Sequence, residues 1–264
     1  MVFMENIIST TNPKIQLMNS LRDKSSKRKE KELCLVDGLR EIKEALKNKV
    51  EIEQIFYCEQ LVDNFEEIKN LGQELTKLSK EAFLKICYKD SPDGVVALIK
   101  TKNKLLKDLK VTKNSLFLVL EAVEKPGNLG AILRTAQASG VSGIILNNQQ
   151  TDIFNPNVIR ASQGFVFSVP VVEANFLETL EFFRENKITS FATSLLAKNS
   201  YIKGNYSKAS ALIFGTEADG LSLDWQEKAD ELIKIPMIGE MDSLNVSVSV
   251  ALVVFEALRQ RGQL

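Results

Sequence analysis

Residues 115–147 read SLFLVLEAVEKPGNLGAILRTAQASGVSGIILN, and their pattern decides the fold of the C-terminal half. The apolar run at 116–120 predicts a buried strand. A helix-period segment follows the Pro126-Gly127 turn, with Leu129, Ile132, Leu133, Ala136 and Gly140 on one face, and 144–146 predicts a second strand. Strand, tight loop, helix and strand make a βαβ unit, whose ligand is expected at the carboxyl end of the first strand, beside loop 126–130. Arg134 falls on the helix face opposite the apolar one, where a solvated arginine is the plain reading.

The loop is glycine-rich, but Gly127 and Gly130 are spaced GxxG, not GxGxxG. The second strand ends in Asn147, where a ribose-binding acid is expected in dinucleotide-binding folds. Both features speak against a nicotinamide-dependent oxidoreductase and an ordinary Rossmann-type methyltransferase.

Working outward, elements continue to alternate. A helix is predicted at 176–186, strands at 188–193, 211–214 and 232–235, and a last helix from near Leu244. Such alternation predicts a mostly parallel sheet with helices on both faces. The last helix carries two apolar stripes, Leu244, Val248, Ala251, Leu252, Phe255 and Leu258 on one side and Val246, Val250, Val253 and Ala257 on the other. It must be buried on two sides, either against a homodimer partner or within its own domain. Upstream, 100–114 holds six lysines and turn-favouring Asn103 and Asn114, and reads as a linker. Before it, a strand at 33–36 with Asp37 as N-cap, a helix bearing Leu39, Ile42 and Leu46, a strand at 52–58, a helix at 62–71, a weak strand at 75–78, a short helix from Ser79 and a strand at 94–99 predict a small α/β domain. The expected boundaries are 1–102 for this domain, 103–114 for the linker and 115–264 for the second domain.

The chain has 264 residues, 44% hydrophobic and 26% charged, as in an ordinary globular protein. No apolar run approaches a membrane span, and MVFMENIIST lacks a signal-peptide core, so the cytoplasm is expected. Three cysteines, an odd count without CxxC spacing, suggest neither a disulfide framework nor a zinc site. With no histidine, Ser-His and Cys-His nucleophiles and histidine-bound metals are excluded. Net charge is zero but uneven, with 22 Lys+Arg against 18 Asp+Glu in 1–113 and 12 against 16 in 114–264. The densest basic run, Lys24, Lys27, Arg28, Lys29 and Lys31, lies on a predicted helix or flexible arm at 14–32 and is either a solvated face or a nucleic-acid contact.

Two further segments carry polar groups where strand ends gather. FGTEADGLS at 214–222 sets Glu217 between Gly215 and Gly220. IPMIGEMDSLNVS at 235–247 offers Ser243 as an N-cap, and Asn245 and Ser247 inside an otherwise apolar helix start.

Together, NLGAILRTA, GTEADGLS and IPMIGEMDSLNVSVSVA, in this order and at these intervals, resemble the three motifs of the SpoU (TrmH-type) RNA ribose 2′-O-methyltransferases of the SPOUT superfamily. Residues 24–46, with KELCLVDGLREIKEAL, resemble the substrate-binding domain of the rRNA-directed members, a fold similar to a small ribosomal RNA-binding protein. The resemblance implies a C-terminal trefoil knot, S-adenosylmethionine as cofactor, RNA (23S rRNA above all) as substrate and no metal. It places Asn128 and Arg134 in the first motif, Glu217 in the second and Ser243 and Asn245 in the third as catalytic-site residues, with cofactor contacts at Gly215, Ile235 and Leu244. Arg134 is implied in activating the ribose hydroxyl, as a base or as a bidentate phosphate clamp. A guanidinium stays protonated in proteins, which favours the clamp. The alternatives are a tRNA ribose methyltransferase and a non-catalytic RNA-binding assembly factor on the same fold.

Overall fold

The structure is a computed structural model that describes residues 6–88, 92–216 and 220–264. Its first elements are β1 (Asn6–Ile7), α1 (Pro13–Asp23), α2 (Ser25–Lys31), β2 (Leu33–Asp37), α3 (Leu39–Lys47), β3 (Ile52–Tyr57), α4 (Phe65–Lys69), β4 (Leu75–Leu78), α5 (Lys80–Ile86) and β5 (Val95–Lys100). They are followed by β6 (Leu116–Glu121), α6 (Pro126–Ser139), β7 (Gly143–Asn147), α7 (Pro156–Ala161), β8 (Val171–Glu173), α8 (Phe176–Asn186), β9 (Thr189–Thr193), β10 (Asn199–Ser200), β11 (Ser210–Phe214), α9 (Leu223–Lys228), β12 (Glu231–Lys234) and α10 (Val246–Gln260). Among the described residues, those up to Lys102 together with Asp152–Ser168 form one compact unit, and Asn103–Thr151 with Val169–Leu264 form a second.

The first unit is built on a mixed sheet of order β1-β4-β3-β5-β2. Ile15, Met18 and Leu21 recur on one face of α1 and are fully buried. With Phe83 and Ile86 of α5 they pack on the sheet residues Leu35, Phe56 and Leu98. Lys27, Arg28, Lys29 and Lys31 of the basic run lie on α2, and Lys24 is the extended residue between α1 and α2. Arg28 is not on the solvated face of α2: it is 3% exposed. Its Nε donates to Asp152 Oδ2 at 2.6 Å, and its Nη1 to the Leu21 and Arg22 carbonyls at 2.6 and 3.1 Å. This ion pair fastens the segment 152–168 into the first unit, where α7 packs on β2 and the 3-10 turn Phe165–Phe167 on α3. Gly164 permits that approach. Its φ is +83°, and a Cβ there would stand 3.0 Å from Glu41 Cα. The grouping therefore differs from the expected boundaries at 152–168, which a continuous 115–264 domain would include.

Two local expectations also change. Asp37 does not cap α3: Gly38 occupies the cap position, and Asp37 Oδ2 instead accepts from the Tyr88 amide at 2.7 Å. The helix expected at 62–71 shrinks to α4, between the caps Asn64 and Asn70, and the backbone at Leu61 and Val62 runs hard against Gly94, whose Cβ would meet it at 2.6–2.7 Å. The three cysteines are free thiols. Burial pushes the Cys34 thiol far above its ordinary pKa and leaves it unreactive.

The second unit holds a sheet of order β10-β12-β9-β11-β6-β7-β8, in which every pairing among the described residues is parallel. β6, β7 and β11 are buried at every position, as expected of parallel strands covered on both faces. On one face Phe117, Val119, Ala211 and Ile213 pack against Phe182 and Phe183 of α8 and Trp225 of α9. By the two-residue alternation, Leu118, Leu120, Leu212 and Phe214 point to the other face, where α10 lies on β11 and against α6. The segment read as a linker packs on the face of Phe117 and α8: it forms a 3-10 turn at Leu106–Asp108 and buries Leu109 in the core with Phe182 and Trp225. Gly140, expected on the buried face of α6, instead ends that helix at φ +65° and is exposed. None of the described helices is long and apolar enough to cross a membrane.

Asp152→Ala would leave the Arg28 guanidinium buried without its counter-charge. It is expected to destabilise the first unit by roughly 3 kcal/mol, seen as a lower urea midpoint. An unchanged midpoint would show that the pair contributes no net stability.

Candidate functional site

Strand order reverses between β6 and β11. From β6 the chain moves outward to β7 and β8, and it then returns on the other side to β9 and β11. The crevice at the carboxyl ends of such strands is where an open parallel sheet binds ligands. A cleft of ≈ 630 Å³ opens at the ends of β9, β11 and β12 and at the start of α10, a volume suited to a nucleoside-sized ligand. Gly215, Ile235, Ser243 and Leu244 all line it. Its walls are mixed: Leu195, Leu196 and Met237 offer apolar surface, while Thr193, Ser194, Lys234 and Asp242 offer polar groups.

The two ends of the loop after β11 are drawn together. The Thr216 amide donates to the Gly220 carbonyl at 2.9 Å, and a Cβ on Gly215 would fall 2.1 Å from that same oxygen. Only glycine fits there. The loop's far end is held from the neighbouring strand, where Glu121 Oε2 accepts from the Ser222 amide at 2.8 Å. Glu217, with Ala218 and Asp219, lies outside the described residues.

The third motif meets the first through side chains. Asn245, not Ser243, caps α10. Its Oδ1 accepts from the Ser247 amide at 2.9 Å and from Ser247 Oγ at 2.6 Å. Its Nδ2 donates to Asn128 Oδ1 at 3.1 Å. Asn128 stands in the first turn of α6, which Pro126 starts at a position where a missing N–H costs nothing. Ser243 remains in the cleft wall, freed from the capping expected of it.

Arg134 is exposed on α6, away from the apolar residues that bury that helix. The site residues thus fall into three groups. Gly215, Ile235, Ser243 and Leu244 share the cleft, Asn128 and Asn245 are joined by a hydrogen bond, and Arg134 stands on a solvent-facing helix surface.

Several residues of the site had no motif to mark them. Glu121 ends an apolar strand, and a buried acid in such a place was the available signal. Asn147, where the dinucleotide-binding pattern wants an acid, is fully buried. Its Nδ2 donates to the Ala174 carbonyl at 2.8 Å and to Thr179 Oγ1 at 2.9 Å, and its Oδ1 accepts from Trp225 Nε1 at 3.2 Å. It ties β7 to α8 and α9 and offers nothing to a ligand. Thr193, Ser194, Lys234 and Asp242 had no signal beyond being polar near strand ends.

Comparison with known proteins identifies the family. Residues 115–255 match the SpoU rRNA Methylase family, and residues 12–97 match the MRM3-like substrate binding domain. The chain is 29% identical to the 23S rRNA (guanosine(2553)-2′-O)-methyltransferase RlmP of Bacillus subtilis, over 96% of its own length and 98% of the relative's. It is 31% identical to the 23S rRNA (guanosine-2′-O-)-methyltransferase RlmB of Vibrio cholerae, over 77% and 85%. Among solved structures, an RNA 2′-O ribose methyltransferase aligns at TM-score 0.84 and 35% identity, covering 97% of this chain and 99% of that one. An AdoMet-bound rRNA methyltransferase from Sinorhizobium meliloti aligns at TM-score 0.87 and 30% identity, covering 97% and 98%. Its three motifs gathered at the ends of one parallel sheet, the chain belongs to the SpoU rRNA methylase family.

Proposed function

We propose that this protein methylates a ribose 2′-hydroxyl of large-subunit (23S) rRNA, with S-adenosylmethionine as methyl donor. The observation that carries this reading is the cleft bounded by Gly215, Ile235 and Leu244, opening beside the Asn245–Asn128 hydrogen bond. The cleft suits that donor: Leu195, Leu196 and Met237 can cover an adenine ring, and Lys234 and Asp242 supply both signs of charge for an amino-acid end. The crowding of Gly215 against Gly220 lets backbone, not side chain, form the floor. When bound, the donor supplies a methyl group on a sulfonium centre, already joined to a good leaving group.

The chain's own task is positioning. Methyl transfer needs in-line approach of the ribose oxygen, so orientation supplies much of the rate. Asn128 and Asn245 hold the starts of α6 and α10 together and fix one edge of the site. Ser243 offers a hydroxyl in the cleft wall, and Glu217 belongs to the loop between Gly215 and Gly220. Arg134, exposed and permanently charged, grips a phosphate next to the target ribose through its planar fork, placing the hydroxyl and easing loss of its proton. The first unit binds the RNA, its exposed Lys24, Lys29 and Lys31 contributing charge while Arg28 serves structure. The chain of the second unit is threaded as a trefoil knot, and the protein works in the cytoplasm.

The active form is a homodimer. Val248, Leu252 and Phe255 form one stripe of α10 and are 46%, 39% and 38% exposed, with Leu244, just before the helix, 38% exposed. Leu258 at the end of that stripe is buried, as are Val246, Val250, Val253 and Ala257, which face the protein's own sheet and α6. The exposed stripe requires a partner of matching shape, which a second copy supplies.

Calorimetry with S-adenosylmethionine and, separately, NAD tests the cofactor, and methyl incorporation into rRNA and tRNA transcripts tests the substrate. Binding of NAD alone, or methylation of tRNA alone, would overturn the reading. Arg134→Lys keeps the charge but loses the fork, and it should lower kcat about 100-fold with donor affinity unchanged. Near-full activity would sink the clamp. Leu252→Asp should convert a dimer into a monomer in sedimentation, and a monomeric wild type would refute the interface.

A further inference from the structure

Among the described residues of the two loops that flank the cleft, no backbone amide of one donates to a carbonyl of the other, and one side chain joins them. Gln226, half-buried on α9, donates from Nε2 to the Leu221 carbonyl at 2.8 Å, at the end of the loop that follows β11. Its Oε1 accepts from Ser194 Oγ at 3.3 Å, in the loop that follows β9. The amide can face only this way: a carbonyl on one side needs a donor, and the hydroxyl on the other finds an acceptor. Leu221, Ser194 and Gln226 all line the cleft.

Each end of this bridge is itself anchored. The Ser194 amide donates to the Ile233 carbonyl of β12 at 2.9 Å. Its Oγ accepts from the Leu196 amide at 3.1 Å, which sets the turn carrying Leu195 and Leu196 over the cleft. Those two leucines are 68% and 79% exposed, and the turn that carries them is also closed by the Ala197 amide donating to the Ser194 carbonyl at 3.2 Å. Leu221 is followed directly by Ser222, whose amide is held by Glu121. Gln226 therefore links a loop held by β12 to one held by β6, beyond the pairing of β9 with β11 and the bond from Thr193 Oγ1 to the Ile213 carbonyl at 3.0 Å that join the strands beneath.

We infer that Gln226 is a positioning residue that sets the spacing between the β9 and β11 loops and thereby tunes affinity for the methyl donor. The inference rests on the reading of the cleft as the donor site. Gln226 touches no reacting atom and acts through Ser194 and Leu221. Loss of its bridge should let the Leu195-Leu196 turn drift from Gly220 and Leu221 on the facing wall. Donor binding would weaken, with little change at the Asn128–Asn245 edge.

The test is titration calorimetry with S-adenosylmethionine, alongside steady-state kinetics, on four variants. Gln226→Met keeps the volume and removes both polar arms. Gln226→Glu keeps an acceptor for Ser194 but sets a carboxylate against the Leu221 carbonyl. Ser194→Ala removes one arm only. Both Gln226 variants are expected to bind the donor about tenfold more weakly and Ser194→Ala about threefold, each arm being a single hydrogen bond. KM for RNA should stay at the wild-type value. The double variant Ser194→Ala with Gln226→Met should be no weaker than Gln226→Met alone, because the two residues share one bridge. A purely structural role predicts instead a fall in Tm, a parallel rise in KM for RNA and additive effects in the double variant, and that pattern would overturn the inference. If Gln226→Met fails to fold, Ser194→Ala and Gln226→Glu carry the same comparison. Wild type without donor affinity would remove the reading of the cleft, whereas wild-type affinity in every variant would remove the inference alone.

Discussion

Parallel pairing of β11 with β6 is the constraint on which the rest of the second unit depends. Ser210–Phe214 runs beside Leu116–Leu120 in unbroken register, although most of the unit's other elements lie between them in sequence. With β11 in the centre, the chain must leave β6 toward one edge and come back from the other. That reversal opens the sheet at the strands' carboxyl ends. It also leaves room for α10 to return to the middle and lie on β11 and α6. The cleft, the Asn245–Asn128 contact and the exposed stripe of α10 all follow from that placement.

Polar side chains at the strand ends finish what apolar packing begins. Burial drives the sheet and its helices together but has no direction, and it cannot decide the conformation of a loop. Glu121, Asn147 and Gln226 can, since each joins segments remote in sequence through hydrogen bonds of fixed geometry. Asn147 shows why the site is no dinucleotide fold: its amide is spent on Ala174, Thr179 and Trp225. The C-terminus is secured in the same way. Arg261, just past α10, donates to the carbonyls of Asn114, Ser115, Tyr206 and Lys208. Its desolvation lowers its pKa somewhat.

Much of the fold was legible because its signals are local. The 3.6-residue period of 126–139 and the run 176–186 are read as helices in the sequence, and both form where expected. The second unit's main strands are short apolar runs between turn residues, and they too fall into place. Legibility failed where one residue had two suitable roles. Ser243 and Asn245 are both good N-caps, and the choice went to Asn245, whose amide also reaches Asn128, 117 residues away. Arg28 sits in a run of lysines that reads as solvated, yet Asp152, 124 residues away, draws it inside. The helix expected at 62–71 forms only at Phe65–Lys69, and the approach of Leu61 and Val62 to Gly94 is one that no local pattern encodes.

The sequence by itself determined the alternation of strands and helices, the parallel character of the second sheet and the three motifs that mark the family. These rest on periodicity and on short spacings, which neighbours along the chain can express. Only the tertiary structure decided that residues 152–168 pack with the first unit and that Asn245 caps α10. It also decided that one face of α10 stays uncovered while the other is buried, and that the motifs gather at one end of a single sheet. Those outcomes depend on pairings between distant segments, where the winning arrangement satisfies buried charges and amides that no local reading can match to their partners.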